Sequence, residues 1–288
     1  GVKLEGKEFY MKYKMVCIDM DGTLLGRRKG ISEENKRAIK EAHDMGVEIV
    51  VTTGRLYNNA LYFSKFLGVD SPVVAANGAI VIDQKTNEVI YECSIPKEEC
   101  IKILEILIKY NTFFQFNTKD TIYCNNWLTK VSTQCYMTKQ VCCEHLNVKY
   151  INVRSKEEWI RIFNNEDMDK SIVISPFKST ILKIKNEINS LNDIVSFSSG
   201  GHSLEINYGN ASKGNAVKAL IDKYNISEKE LICIGDNEND MSMIELAGLG
   251  IAMGNAIPKI KNIADYITDT NRNDGVAKAI NKFILKEK

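Results

Sequence analysis

The chain has 288 residues, 44% hydrophobic and 26% charged, with 38 Lys and Arg against 37 Asp and Glu. That balance leaves no global field to draw nucleic acid or an anionic membrane, so any anion the protein handles is gripped locally. No eighteen-residue apolar stretch and no secretory signal is visible, and eight scattered cysteines without a CxxC pair fit a reduced, cytoplasmic protein with room for two ordinary domains.

Residues 1–10, GVKLEGKEFY, show no clear element and are expected to be an extension outside the fold. KMVCID (14–19) then reads as a buried strand ending in two acids one residue apart, Asp19 and Asp21, before Gly22. In isolation Asp-x-Asp-Gly is a turn sequence. After an apolar strand it means more, because open α/β sheets bind ligands beyond the carboxyl ends of their strands. Two close carboxylates also resist ionising together, and a hard divalent cation such as Mg2+ removes that conflict.

SEENKRAIKEAHDMG reads as a helix, with Ser32 as N-cap and Gly46 as its stop. VEIVVTT (47–53) is a second apolar strand, closed by Thr53 and Gly54 before the helix RLYNNALYFSKFLG. A hydroxyl and exposed N–H groups at a helix start suit an anion, although Thr-Gly also serves simply as cap and turn. PVVAAN is a third strand, and the alternation predicts a parallel sheet covered on both faces.

From 84 to 205 the texture changes. A hairpin-like turn, DQKTNE (83–88), leads into the helix KEECIKILEILIKY, polar strands TFFQFN and DTIYCN, and the paired strands of DIVSFSSGGHSLEIN. We expect an inserted α+β unit here, with the main domain divided into 11–83 and 206–288. Asn117, Lys119, Asp120 and His202 are its candidates for substrate contact, against the ordinary reading as solvated loop residues. Trp127 and Trp159 are expected to pack in or beneath it.

The first rhythm then returns. Ser212 caps KGNAVKALIDKY, placing Lys213 in the first turn, where a cation opposes the helix dipole unless an anion sits at the helix end. LICIG (231–235) is a strand with Asp236 at its end, as Asp19 ends the first, and Asn239 and Asp240 follow. Spacing of i, i+4 puts Asp236 and Asp240 on one side of a first helical turn, an arrangement also common as N-capping. GLGIAM is a strand, and AIPKIKNIA and DGVAKAINKFI are helices; the glycines of GLGIAMG have the wrong spacing for a dinucleotide-binding turn.

Together DMDGT (19–23), TTGR (52–55), Lys213 and GDNEND (235–240) resemble the four ordered motifs of the haloacid dehalogenase (HAD) superfamily, and most closely its Cof-type phosphatases. NGA (77–79), AMGNA (252–256) and DGVA (274–277) fit the same group, so the resemblance runs from about Met11 onward. It implies a Rossmann-like parallel-sheet core with an inserted α+β cap of the C2 type. It also implies hydrolysis of small phosphorylated metabolites, sugar phosphates among them, with Asp19 as nucleophile and Asp21 as general acid and base. Thr53, Gly54, Lys213 and Asn239 would bind the phosphoryl group, and Mg2+ would be held by Asp19, the Asp21 carbonyl and Asp236, with Asp240 in support. A phosphotransferase or phosphomutase of the same superfamily, or a non-catalytic relative that binds a phosphorylated ligand, is the alternative.

Overall fold

The computed structural model of the protein describes residues 3–4, 7–8, 11–26, 30–131, 148–199 and 201–286. Within the extension expected to lack an element, β1 (Lys3–Leu4) and β2 (Lys7–Glu8) form a short antiparallel pair.

The first stretch of chain supplies β3 (Met15–Asp19), α1 (Glu33–Asp44), β4 (Glu48–Thr52), α2 (Tyr57–Phe66), β5 (Val73–Ala75), β6 (Ile80–Ile82) and β7 (Val89–Glu92). The middle supplies α3 (Lys97–Lys109), β8 (Phe113–Asn117), β9 (Thr121–Cys124), β10 (Lys149–Asn152), α4 (Lys156–Asn165), β11 (Lys170–Ile174), α5 (Lys178–Ile188), β12 (Ile194–Ser199) and β13 (Ser203–Tyr208). The last stretch supplies α6 (Lys213–Lys223), β14 (Leu231–Gly235), α7 (Met241–Leu246), β15 (Leu249–Ala252) and β16 (Tyr266–Ile267), with the helices Pro258–Ile263 and Gly275–Ile280.

Eight strands form one sheet in the order β16-β15-β14-β3-β4-β5-β6-β7, parallel from β16 to β5. Every residue of β3 and β14 is buried, as continuous apolar runs in a doubly covered parallel sheet must be. The local signals read from the sequence work as expected: Ser32 Oγ accepts from the Asn35 N–H, and Gly46 leaves α1 in the left-handed region. Since β3 lies between β4 and β14, its carboxyl end is the point where the strand order reverses, the crevice in which such sheets bind ligands.

The other large sheet has the order β10-β9-β8-β11-β13-β12 and buries one face against α3, α4 and α5 around Phe114, Phe116, Trp159 and Phe163. Its opposite face carries the alternate residues. Two sequence expectations need correcting. The turn 83–88 joins β6 to β7, and both strands extend the large sheet antiparallel, so residues 89–92 belong to that sheet although they fall within 84–205. Trp159 is buried as anticipated, but Trp127 is 62% exposed. No helix among the described residues is long and apolar enough to cross a membrane.

Candidate active site

Asp19 is the last residue of β3, and its side chain is nearly buried. Ser212 caps α6 through the Asn215 N–H, which fixes Lys213 as the first helical residue and drives its side chain inward to full burial. Lys213 Nζ donates to Asp19 Oδ1 at 2.5 Å and to Asp240 Oδ1 at 2.6 Å. The anion that a lysine at this helix end requires is thus supplied by two carboxylates.

Beyond β14 the chain turns at Asp236 into a short 3-10 turn, Glu238–Asp240, rather than directly into an α-helix. Asp240 Oδ2 accepts from the N–H groups of Asp236 and Asn237 at 2.9 and 3.1 Å. Capping therefore describes Asp240 correctly, and it coexists with the contact to Lys213. Asp236 Oδ1 accepts from Thr23 Oγ at 2.8 Å. Gly22 makes this approach feasible: its φ is +87°, and a Cβ there would lie 2.3 Å from Asp236 Oδ2.

Asp19, Asp236 and Asp240 each offer a carboxylate oxygen, all within 4.8 Å of one another. Burial, together with the charges of Asp240 and Asp236, pushes the Asp19 carboxyl well above its ordinary range despite the pull of Lys213. Burial and Asp240 likewise push Asp236 up to about 6. Burial disfavours the charged form of Lys213, but Asp19 and Asp240 outweigh it and hold the ammonium protonated. Negative charge thus exceeds what one ammonium balances, and the donors are all oxygen, so a hard divalent cation fits. Asp240, already saturated by three donors, is suited to support rather than direct ligation.

The Asp21 carboxylate points elsewhere. It is half-exposed and receives a bidentate pair from Arg55, Nε to Oδ2 at 2.7 Å and Nη2 to Oδ1 at 2.6 Å. Arg55 also donates to Asn59 and lies 5.4 Å from the centre of the Phe63 ring. Thr53 and Gly54 follow β4 in a loop, with α2 beginning only at Tyr57, so they stand before the helix rather than in its first turn. Thr53 Oγ accepts from the Arg55 N–H at 3.1 Å. Asn239 Nδ2 donates to Oδ1 of Asn77 at 3.0 Å, which holds it toward the same crevice.

In the six-stranded sheet the outcome differs. Asn117 is buried and accepts from Gln115, Lys119 is exposed, and Asp120 is engaged by Thr118 and Thr121 within its own turn. His202 is exposed beside Ser175, past the end of β11 farthest from Lys170. Four residues that sequence reasoning left without a role do meet the crevice: Arg55, Asn77, Lys170 and Glu205. Arg55 and Asn77 lie inside TTGR and NGA, segments that carry the family resemblance. Lys170 and Glu205 carry no local signal beyond a charge within an otherwise strand-like run.

A family model for haloacid dehalogenase-like hydrolases matches residues 16–280. The chain is 32% identical to Phosphatase YwpJ of Bacillus subtilis over 92% of this chain and 97% of that one. It is 31% identical to the 5-amino-6-(5-phospho-D-ribitylamino)uracil phosphatase YcsE of the same organism, over 94% and 96% respectively. Among solved structures, a haloacid dehalogenase-like hydrolase from B. subtilis superposes with a TM-score of 0.80 at 30% identity, covering 94% of this chain and all of that one.

Proposed function

We propose, for a chain that belongs to the haloacid dehalogenase-like hydrolases and is a Cof-type phosphatase among them, that it hydrolyses small phosphomonoesters with Mg2+ through an aspartyl phosphate on Asp19. The observation that carries this reading is Lys213 Nζ bridging Asp19 and Asp240 beside Asp236, at the sheet's reversal point.

Phosphomonoester hydrolysis is among the slowest uncatalysed reactions, and its transition state spreads charge over the equatorial oxygens. In the first step an Asp19 oxygen attacks phosphorus and the ester P–O bond breaks, with Asp21 giving its proton to the departing alkoxide. In the second, Asp21 takes a proton from water, the water oxygen attacks phosphorus, and the Asp19–phosphorus bond breaks to release inorganic phosphate. A carboxylate nucleophile divides one difficult displacement into two. Asp21 performs both proton transfers by turning from Arg55 toward the leaving oxygen.

Thr53 Oγ, the Gly54 N–H, Lys213 and Asn239 stabilise the transferring oxygens. Asp19, the Asp21 carbonyl and Asp236 would hold Mg2+, which would supply the charge neutralisation that lets nucleophile and phosphate meet. The six-stranded sheet, taken as the cap, closes over the crevice and excludes water during the first step. Three similar curated proteins of B. subtilis are named for a phosphoribityl substrate, which supports a hydroxylated leaving group such as a sugar or sugar alcohol.

The test is phosphate release from p-nitrophenyl phosphate with and without Mg2+, in the wild type and in Asp19→Asn. Turnover that needs Mg2+ and falls by about a thousandfold or more in the variant is expected. An Asp19→Asn protein as active as the wild type would remove the aspartyl-phosphate step.

A further inference from the structure

Lys170 opens β11 on the cap face turned toward the catalytic loops, and its side chain is only 3% exposed. Its ammonium donates to the main-chain carbonyl of Gly54 and to Glu205 Oε2 at 2.9 Å. Glu205, on the adjacent β13, also accepts from Asn77 Nδ2 at 2.7 Å. None of the steps above uses this pair. Desolvating two charges opposes docking unless their geometry and remaining hydrogen bonds repay it, so a placement this close to the catalytic loop asks for a role.

The Gly54 carbonyl and the Arg55 N–H are the two ends of one peptide group, and that N–H donates to Thr53 Oγ at 3.1 Å. One residue further, the Arg55 side chain grips Asp21. The neighbouring carbonyls are fixed from the core: Thr53 O accepts from the Asn77 N–H and Arg55 O from the Ala76 N–H. The Gly54 carbonyl is fixed from the cap, by Lys170. A cationic donor at the oxygen of a peptide polarises the N–H on its other side, so hydrogen bonds in series strengthen one another. The approach is close: a Cβ at Gly54 would lie 2.6 Å from Asn77 Oδ1 and 3.0 Å from Glu205 Oε2.

We propose that Lys170, held by Glu205, is a positioning residue through which the docked cap orients the Gly54–Arg55 peptide, and with it the Thr53 hydroxyl and the Arg55–Asp21 pair. The phosphoryl-binding groups, and the Arg55 side chain from which the Asp21 carboxylate turns to transfer protons, are then fully arranged only when the cap is down. This rests on the roles given above to Thr53 and Asp21.

The test is a double-mutant cycle on p-nitrophenyl phosphate with saturating Mg2+, comparing wild type, Lys170→Met, Thr53→Ala and the double variant, with Lys170→Arg alongside. Lys170→Met is expected to lower kcat by about tenfold or more with KM within about threefold, because the interaction acts in the transition state. In the Thr53→Ala background the same change is expected to cost less than about threefold, and Lys170→Arg to restore most of the loss, outcomes that a merely structural lysine would not give. Equal losses in both backgrounds, or an unchanged kcat in Lys170→Met, overturn the proposal. Where Lys170→Met does not fold, Glu205→Gln takes its place in the cycle with the same expectations. An Asp19→Asn protein that keeps wild-type turnover counts against the aspartyl-phosphate reading instead; additivity with Asp19→Asn inactive counts against the relay alone.

Discussion

Without Lys213, the buried carboxylates of Asp19 and Asp240 would have no shared cation. Removing one partner of a buried charge cluster typically costs about 3–5 kcal/mol. Lys213→Met is therefore expected to lower unfolding stability by that order in EDTA at pH 8. The loss should shrink toward pH 4, where the raised carboxyls of Asp19 and Asp236 take up protons and no longer repel; urea denaturation at the two pH values reads the difference. Gly22→Ala tests a close approach in the site. With φ at +87° and Asp236 Oδ2 2.3 Å from the new Cβ, we expect destabilisation of about 1–3 kcal/mol and a loss of turnover of about a hundredfold, from the displacement by about an ångström of the carboxylate proposed to hold the metal. At this scale the residues the sequence could supply were those placed by local rules: Asp19 and Asp236 beyond apolar strands, Lys213 at a capped helix start. Arg55, Asn77, Lys170 and Glu205 gain their meaning from partners far along the chain, and no periodicity encodes such a pairing.

Among the strands legible in the sequence, β3, β4 and β14 stand out, five residues each and built on an apolar run at the start of a strand-to-helix connection. β7 alone falls on the wrong side of the expected boundary at 83/84, because a hairpin turn says that two strands pair, not which sheet they extend. β10 and β16 are four and two residues long, too short for alternation to declare itself. The segment leading into β11 carries a testable titration. Asp169 is buried beside Ser94, where the chain leaves the large sheet, and its Oδ2 has no hydrogen-bond partner. Burial, then Glu92, pushes its carboxyl up to about 7, against the opposing effects of Ser94 and Lys119. The folded protein thus holds a proton that the unfolded chain, with an ordinary value near 3.8, releases. This contribution to stability is greatest below the unfolded value, and it is lost as pH rises through about 7. Asp169→Asn is expected to be about 1–3 kcal/mol more stable than wild type at pH 8 and nearly equal to it at pH 4, as chemical denaturation at each pH would report.

For the molecule as a whole, a cation held as proposed by Asp19 and Asp236 would bind the native arrangement and not the unfolded chain, and would raise global stability by mass action. With Mg2+ at about a hundred times its Kd the gain is about 2.7 kcal/mol, seen as a rise in Tm over EDTA. Asp236→Asn should abolish that rise, and in the wild type it should fade below about pH 6 as protons compete for Asp236. Undiminished Mg2+ stabilisation in Asp236→Asn would place the ion elsewhere.

The strand order carries one more consequence, for synthesis rather than catalysis. β3 is flanked by β4, made soon after it, and by β14, made more than two hundred residues later, with the whole six-stranded sheet in between. During translation the middle unit can collapse on its own aromatic cluster while β3 still presents an unpaired and largely apolar edge. Exposed edges of that kind pair with other chains. The nascent protein is therefore expected to be most exposed to misassembly in the interval that closes when Leu231–Gly235 leaves the ribosome.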